Sequence, residues 1–224
     1  MVPWELLDTA RIRDHGELRL YKRGDEYSIR LDGQELMGSR LHGSEEKLAV
    51  LACERIQGRP KPCILIGGLG MGFTLAAALA GLPRNGRVVV AELVPQVVEW
   101  NRGPLGHLAG HPLDDSRVRV RTADVSAVIR EGSGSYDAIL LDVDNGPYDL
   151  KQGDNDRLYS STGLHEAHVA LRPSGVLAVW SAGPDRAYCR RLTREKFTVE
   201  QISAAVRKEG RGGRDLITLG TRGD

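Results

Sequence analysis

The sequence predicts an α/β protein: a mostly parallel sheet wound on both sides, closed by an antiparallel hairpin and preceded by a small β-element. Three observations predict it. From Cys63 onward, short apolar strands alternate with helical segments, the pattern of a parallel sheet buried on both faces. The last two apolar segments, FTVEQISAAV and RDLITLGT, are separated only by KEGRGG and read as an antiparallel pair. Before residue 43 the chain instead alternates polar and apolar residues, as half-buried strands do.

Taken in order, residues 1–40 read as strands, with ELRLYKRG and EYSIRLDGQELM set off by turn signals at Arg23-Gly24-Asp25 and Asp32-Gly33. Residues 43–57 read as a helix with Ser44 as its N-cap and acidic residues in its first turn. Pro60 and Pro62 then punctuate the approach to CILIG, which leads into a helix over 71–80. RVVVAEL precedes a helix near 95–102, and RVRVRTA one near 125–131. YDAILLD runs through a long loop to a helix near 161–171, and GVLAVWSA to one near 184–194. The organisation is an N-terminal β-hairpin or small sheet over 1–42 and one main domain over 43–224.

Composition narrows the function classes. Of 224 residues, 41% are hydrophobic and 27% charged, the balance of an ordinary globular chain. The net charge of +1, from 31 basic and 30 acidic residues, gives no global attraction to nucleic acid or membrane. Cys53, Cys63 and Cys189 have neither disulfide-framework nor zinc spacing, so reduced thiols in a cytoplasmic setting are expected. The N-terminal MVPWELLDTARIRDHGE is too charged for a signal peptide.

The chemistry begins at CILIGGLGMGFTLAAALA. Gly67, Gly68, Gly70 and Gly72 crowd one strand-to-helix turn, where glycines let a ligand approach the backbone and the helix N-terminus. Glu92 ends the second strand, in VVVAEL, and an acid there can accept from ribose hydroxyls of NAD or of S-adenosylmethionine. Asp124, in Thr122-Ala123-Asp124, stands where it can accept from an adenine amino group. Asp142-Val143-Asp144-Asn145-Gly146-Pro147 follows the next buried strand, at the sheet edge where open α/β folds bind ligands. A nicotinamide dinucleotide has no need of Asp124, and dehydrogenase sheets usually end in parallel strands. The sulfonium donor is therefore preferred.

ILIGGLGMG, VAELVPQVVEW, DSRVRVRTADV, YDAILLDVDNGP and LYSSTGLHEAHVALRPSGVLAV resemble the spermidine/spermine synthase family of the S-adenosylmethionine-dependent methyltransferase superfamily. The resemblance spans about residues 15–220. It implies a Rossmann-like methyltransferase fold and a donor that is S-adenosylmethionine or its decarboxylated form. Gly67, Gly68, Gly70 and Gly72 would then lie against the amino-acid or aminopropyl arm. Glu92 would hold the ribose, Asp124 the adenine, and Asp142 would stand beside the reacting sulfonium. A homodimer is also implied.

Two departures shape the expected reaction. The family's acidic loop has the form D-S-S-D-P-x-G-P, and here it is the shorter D-V-D-N-G-P. Its Tyr-Gln/His-Glu run is replaced by Leu41-His42-Gly43-Ser44-Glu45-Glu46-Lys47, without the tyrosine. The expectation is methyl transfer to a small-molecule acceptor. Aminopropyl transfer from decarboxylated S-adenosylmethionine is the alternative, and a non-catalytic nucleoside-binding protein the further one. Asp142 is the first candidate to take the acceptor's proton and Asp144 the second. Pro147, Tyr148 and Tyr159 either wall the acceptor pocket or pack the loop.

Asp142-Val143-Asp144-Asn145 with Tyr148 also resembles the D-A-D-K-x-x-Y stretch of cation-dependent catechol-type O-methyltransferases. The paired ligand expected near the fifth strand is missing from VWSAGPD, Asp185 apart, so no metal is expected. His165-Glu166-Ala167-His168 lacks metal-ligand spacing and reads as solvated helix. Arg207-Lys208 and Arg211-Gly212-Gly213-Arg214 read as a solvated hairpin tip, without the aromatic residues that nucleic-acid binding would need.

Overall fold

The computed structural model describes residues 2–12, 16–143, 156–205 and 214–223. Strands β1 (Glu5–Ile12), β2 (Gly16–Arg23), β3 (Glu26–Leu31) and β4 (Gln34–Gly38) form an antiparallel sheet in that spatial order. Its turns include Arg23-Gly24-Asp25 and Asp32-Gly33, where Gly24 and Gly33 take the positive φ that tight hairpins demand. The apolar residues Ala10, Leu18, Leu20, Tyr27 and Ile29 alternate onto one face and are buried against the main domain.

The main domain runs α1 (Gly43–Arg55), β5 (Cys63–Gly67), α2 (Phe73–Gly81), β6 (Arg87–Glu92), α3 (Pro95–Arg102), β7 (Val118–Thr122), α4 (Val125–Glu131) and β8 (Tyr136–Leu141). It continues with α5 (Asp156–Tyr159), α6 (Ser161–Ala170), β9 (Leu171–Ser181), α7 (Arg186–Arg194), β10 (Phe197–Ala205) and β11 (Arg214–Arg222). The seven strands lie in the order β10-β11-β9-β8-β5-β6-β7. From β9 to β7 all pairings are parallel, while β11 pairs antiparallel with both β9 and β10. The expected closing hairpin is thus present, although its KEGRGG connection lies outside the described residues.

The period of two decides which side chains reach which layer. Ile64, Ile66, Ala138, Leu140, Val176, Ala178, Ile217 and Leu219 face α1, α2 and α3, and the N-terminal sheet continues that core. Leu65, Ile139, Leu141, Leu177 and Val179 face α4, α6 and α7. At the amino-terminal edge, buried Asp137 accepts from Arg59 Nη1 at 2.9 Å, Arg172 Nη1 at 2.7 Å and the Cys63 amide at 2.8 Å. A charge so buried is tolerated because its oxygens are met by cations and an N–H.

One helix start differs from expectation. Ser44 lies inside the first turn of α1 and is buried; the N-cap is His42, with no side-chain capping bond. The helix begins earlier because the Glu46 amide already donates to the His42 carbonyl at 3.1 Å. The His42 ring, 2.9 Å from Glu46 through Nδ1 and stacked on Phe73 at 4.0 Å, anchors that turn instead.

Candidate active site

The chain leaves β5 to build β6 and β7 on one side and returns for β8 and β9 on the other. The switch in direction between β5 and β8 falls at the carboxyl edge of the sheet, the place where open α/β folds take ligands. Gly67 stands opposite Ala91 and Leu141 in the neighbouring strands. Glu92 ends β6, Asp124 follows β7 and Asp142 follows β8, so the described residues predicted for the site all come to this one edge.

The glycines have different duties. Gly67 is still in the strand, and a Cβ there would come within 2.9 Å of Val125 Cγ2 and 3.0 Å of Leu141 Cδ2, so its smallness serves packing. Gly68, at φ +83°, passes so close to β8 that a Cβ would sit 2.9 Å from the Asp142 carbonyl oxygen. Gly72, at φ +85°, is the N-cap of α2 in the left-handed region, which a side chain would strain. Gly70 lies under Met37 from the N-terminal sheet, 3.2 Å from where its Cβ would be. At all four glycines the place of the missing side chain is taken by a neighbouring part of the fold, so the turn is closely packed where it leads into α2.

Glu92 holds this turn. Its buried carboxylate accepts from the Leu69 amide through Oε2 and from the Val94 amide through Oε1, both at 2.8 Å. Burial raises its proton affinity, against the backbone N–H groups that favour the charged form. Each oxygen keeps a further lone pair, so bracing the loop and accepting from ribose hydroxyls are compatible. Asp124 is exposed and is the N-cap of α4, its Oδ1 accepting from the Ser126 amide at 2.7 Å and the Ser126 hydroxyl at 2.5 Å. The capping duty explains an acid at this position without a ligand, while Oδ2 takes part in neither bond.

Asp142 is in a different setting. Thr74, in the first turn of α2, donates its hydroxyl to Asp142 Oδ2 at 3.1 Å. Burial pushes the Asp142 carboxyl up to about 6, helped by the negative charge of Asp215 and opposed by the Thr74 hydrogen bond. Glu45, on α1, is held well above the usual carboxylate range by burial and by Asp142, Glu46 and Asp215. Thr74 also reaches the Glu45 backbone carbonyl, at 3.5 Å, which sets the first turn of α1 beside the first turn of α2. A carboxylate whose proton affinity sits just below neutrality is suited to take a proton from an incoming nucleophile.

Asp144, Asn145, Pro147 and Tyr148 lie outside the described residues. Tyr159 is packed in the core against Tyr188, edge to face at 5.7 Å, with its hydroxyl 3.5 Å from the Val143 carbonyl; it supports the end of β8. Asp185 caps α7 through the Ala187 and Tyr188 amides at 2.7 and 3.0 Å. Among the described residues no three His, Cys, Asp or Glu side chains converge as metal ligands would. His168 is half-buried against Phe197 at 5.2 Å, so only His165 of that pair is the solvated residue expected.

Sequence reasoning passed over Glu45, Thr74, Asn101 and Asp215. Asn101 is buried, and its Nδ2 donates to the Gly70 carbonyl at 2.8 Å and the Val97 carbonyl at 2.9 Å, tying α3 to the turn. The available signal was a lone amide next to Trp100 on the apolar side of PQVVEWNR. Trp100 itself donates to Asp8 Oδ2 at 2.7 Å, which links the N-terminal sheet to the same support.

Solved structures share this architecture from end to end. A spermidine synthase in complex with the transition-state analogue AdoDATO matches with a TM-score of 0.75 at 18% identity, covering 97% of this chain and 72% of that one. The spermidine synthase from Thermotoga maritima matches at 0.76 and 19%, over 97% and 72% of the two chains. A probable spermidine synthase from Corynebacterium glutamicum matches at 0.63 and 16%, over 97% and 79%. The chain has the spermidine synthase fold. The N-terminal sheet, the Rossmann-like body and the closing hairpin are all part of that likeness. No protein-family model matches the chain, and neither does any curated protein sequence.

Proposed function

We propose that the protein is a group transferase that uses an S-adenosylmethionine-type donor, and that it transfers an aminopropyl group from the decarboxylated donor to an amine. The observation that carries this reading is a pair of half-buried acids, Asp142 and Glu45, beside the glycine turn, Asp142 accepting from the Thr74 hydroxyl and its negative charge adding to the burial that raises the proton affinity of Glu45. An anionic acceptor is repelled there, and a protonated amine is attracted. The fold likeness to spermidine synthases supports this alternative over the methyl transfer expected from the sequence.

When bound, the donor supplies a carbon activated by a positive sulfur, and displacement at that carbon releases the thioether. The chain contributes alignment and a proton acceptor. Gly68, Gly70 and Gly72 would hold the donor's arm, Glu92 its ribose and Asp124 its adenine. Asp142, fixed by Thr74, would take the proton that the amine nitrogen loses on forming its new bond to carbon. Methyl transfer is kept as a second reading because the loop D-V-D-N-G-P is shorter than the polyamine-enzyme form.

Incubation with each donor and a panel of amines separates the readings. Methylthioadenosine released from the decarboxylated donor is the expected result. S-adenosylhomocysteine released from S-adenosylmethionine, without methylthioadenosine, would replace it with methyl transfer. Donor binding without turnover on any acceptor would leave a nucleoside-binding protein. A homodimer joined through the N-terminal sheet, where Leu6 and Leu36 are exposed on the edge strands β1 and β4, belongs to the same proposal; gel filtration tests it. A cytoplasmic setting is proposed from the cysteine usage, and none of the described helices is long and apolar enough to cross a membrane.

A further inference from the structure

Asn101 belongs to α3, outside the turn between β5 and α2, yet a single nitrogen of its side chain holds that turn. Its Nδ2 donates to the Gly70 carbonyl at 2.8 Å and to the Val97 carbonyl at 2.9 Å, so both of its N–H groups meet backbone oxygens. Two acceptors on that side fix the orientation of the amide. Oδ1 is thereby turned toward Gly72, where a Cβ would lie 3.0 Å from it. There Oδ1 is sealed from solvent, without a hydrogen-bond partner among the described residues. A buried acceptor left unmet is destabilising, so the grip on Gly70 is kept against a penalty that packing alone does not require.

What the grip achieves follows from the peptide plane. A trans peptide held at its carbonyl has its N–H pointing the opposite way, so the bond to Gly70 also sets the direction of the Met71 amide. Gly70, at φ +54°, has no side chain to limit its own backbone, and the hold must come from outside. It is anchored in the N-terminal sheet. Trp100, the neighbour of Asn101 on α3, is buried and donates its Nε1–H to Asp8 Oδ2 at 2.7 Å. Met37 presses on the same glycine, its Sδ 3.2 Å from where a Cβ of Gly70 would be. Asp8 is on β1 and Met37 on β4, so both edge strands of that sheet bear on one residue of the turn.

We propose that Asn101 is a positioning residue for the donor's arm, and that Asp8 acts on it through Trp100. The proposal rests on the transferase reading, in which the turn holds the arm that distinguishes the donor from a bare nucleoside. Its signature is selective. Loss of the grip weakens ligands that carry the arm and spares those that lack it, whereas a residue that merely holds the fold together would weaken both alike.

The test is calorimetric titration of the full chain with methylthioadenosine, which lacks the arm, and with decarboxylated S-adenosylhomocysteine, which carries it. S-adenosylhomocysteine, titrated in parallel, covers the methyl-transfer reading. Wild type should bind the better of the two arm-bearing ligands more tightly than methylthioadenosine. Asn101→Ala should weaken that ligand by about tenfold or more, with methylthioadenosine affinity within about twofold of wild type. Asp8→Ala should act in the same direction by about threefold, and Asp8→Asn, which keeps an acceptor for Trp100, should restore the affinity. The Asp8 pair decides the matter if Asn101→Ala does not fold. A wild type that binds all three nucleosides equally, or variants that weaken all alike or none, would overturn the assignment and leave the transferase reading standing. A wild type that binds none of them would sink both.

Discussion

The Leu69 amide donates to Glu92 Oε2 at 2.8 Å, so the acid at the end of β6 and the glycine turn after β5 form one mechanical unit. A charge-assisted bond of this kind contributes about 1.5–3 kcal/mol. Glu92→Ala removes two such bonds and also relieves the cost of a buried charge, so the net destabilisation should be on the order of 2 kcal/mol. Donor affinity should fall by about tenfold or more, from lost ribose contacts and a loosened turn. Thermal melting and titration with methylthioadenosine read the two effects separately. A lowered melting temperature with unchanged affinity would reduce Glu92 to a brace.

Asp142→Asn preserves the shape and a partner for Thr74 but cannot accept a proton. Turnover at saturating donor should fall by roughly 10²–10⁴, the usual range for a lost general base, with donor affinity nearly unchanged. Should the variant lose donor binding while its turnover at saturation persists, Asp142 belongs to the donor side. The role of proton acceptor would then pass to Asp144.

The same substitution has a stability signature. The Asp142 carboxyl is raised from 3.8 to about 6 in the folded protein, so the native state binds the proton more tightly than the unfolded chain. That contribution is full below the unfolded value and is lost as pH rises through the folded one. An asparagine does not ionise. Asp142→Asn should therefore gain on wild type between about pH 5 and about pH 8, by about 1.4 kcal/mol, or a few degrees in melting temperature. Parallel melting curves at the two pH values check this; equal differences at both would show that the wild-type carboxyl is not strained when charged.

Much of this was legible in the sequence because the signals are local. A strand buried on both faces, a glycine turn and an acid at a strand end each announce themselves within a few residues. The N-cap of α1 was misplaced because Ser44 has the chemistry of a cap while His42, which stacks on Phe73 and pairs with Glu46, does so through contacts across the fold. Asp215 was invisible for a related reason. In RDLITLGT it reads as the polar start of a strand, and only the return of β11 beside β9 carries it to the end of the sheet where Asp142 lies. Glu45 reads as an ordinary acid in a helix's first turn, favourable there on its own account, until Oε2 is found sealed and without a hydrogen-bond partner among the described residues.

Asp124 is where capping and ligand binding can be pulled apart. Its Oδ1 satisfies the Ser126 amide at the start of α4, a contact whose loss costs about 0.5–2 kcal/mol. Serine caps a helix about as well as aspartate, but it is neutral and shorter. Asp124→Ala should therefore lower both stability and donor affinity, because cap and carboxylate disappear together. Asp124→Ser should hold the melting temperature to within about a degree or two of wild type. If Asp124 accepts from the adenine amino group through Oδ2, the serine variant still loses a charge-assisted bond and binds methylthioadenosine about tenfold more weakly. A discriminating ligand sharpens the test: an analogue with the adenine amino group replaced by hydrogen should bind wild type and Asp124→Ser alike. Serine and wild-type proteins with equal affinity for the amino-bearing ligand would leave Asp124 as the cap of α4 and nothing more, and recognition of the base would have to come from the backbone around it.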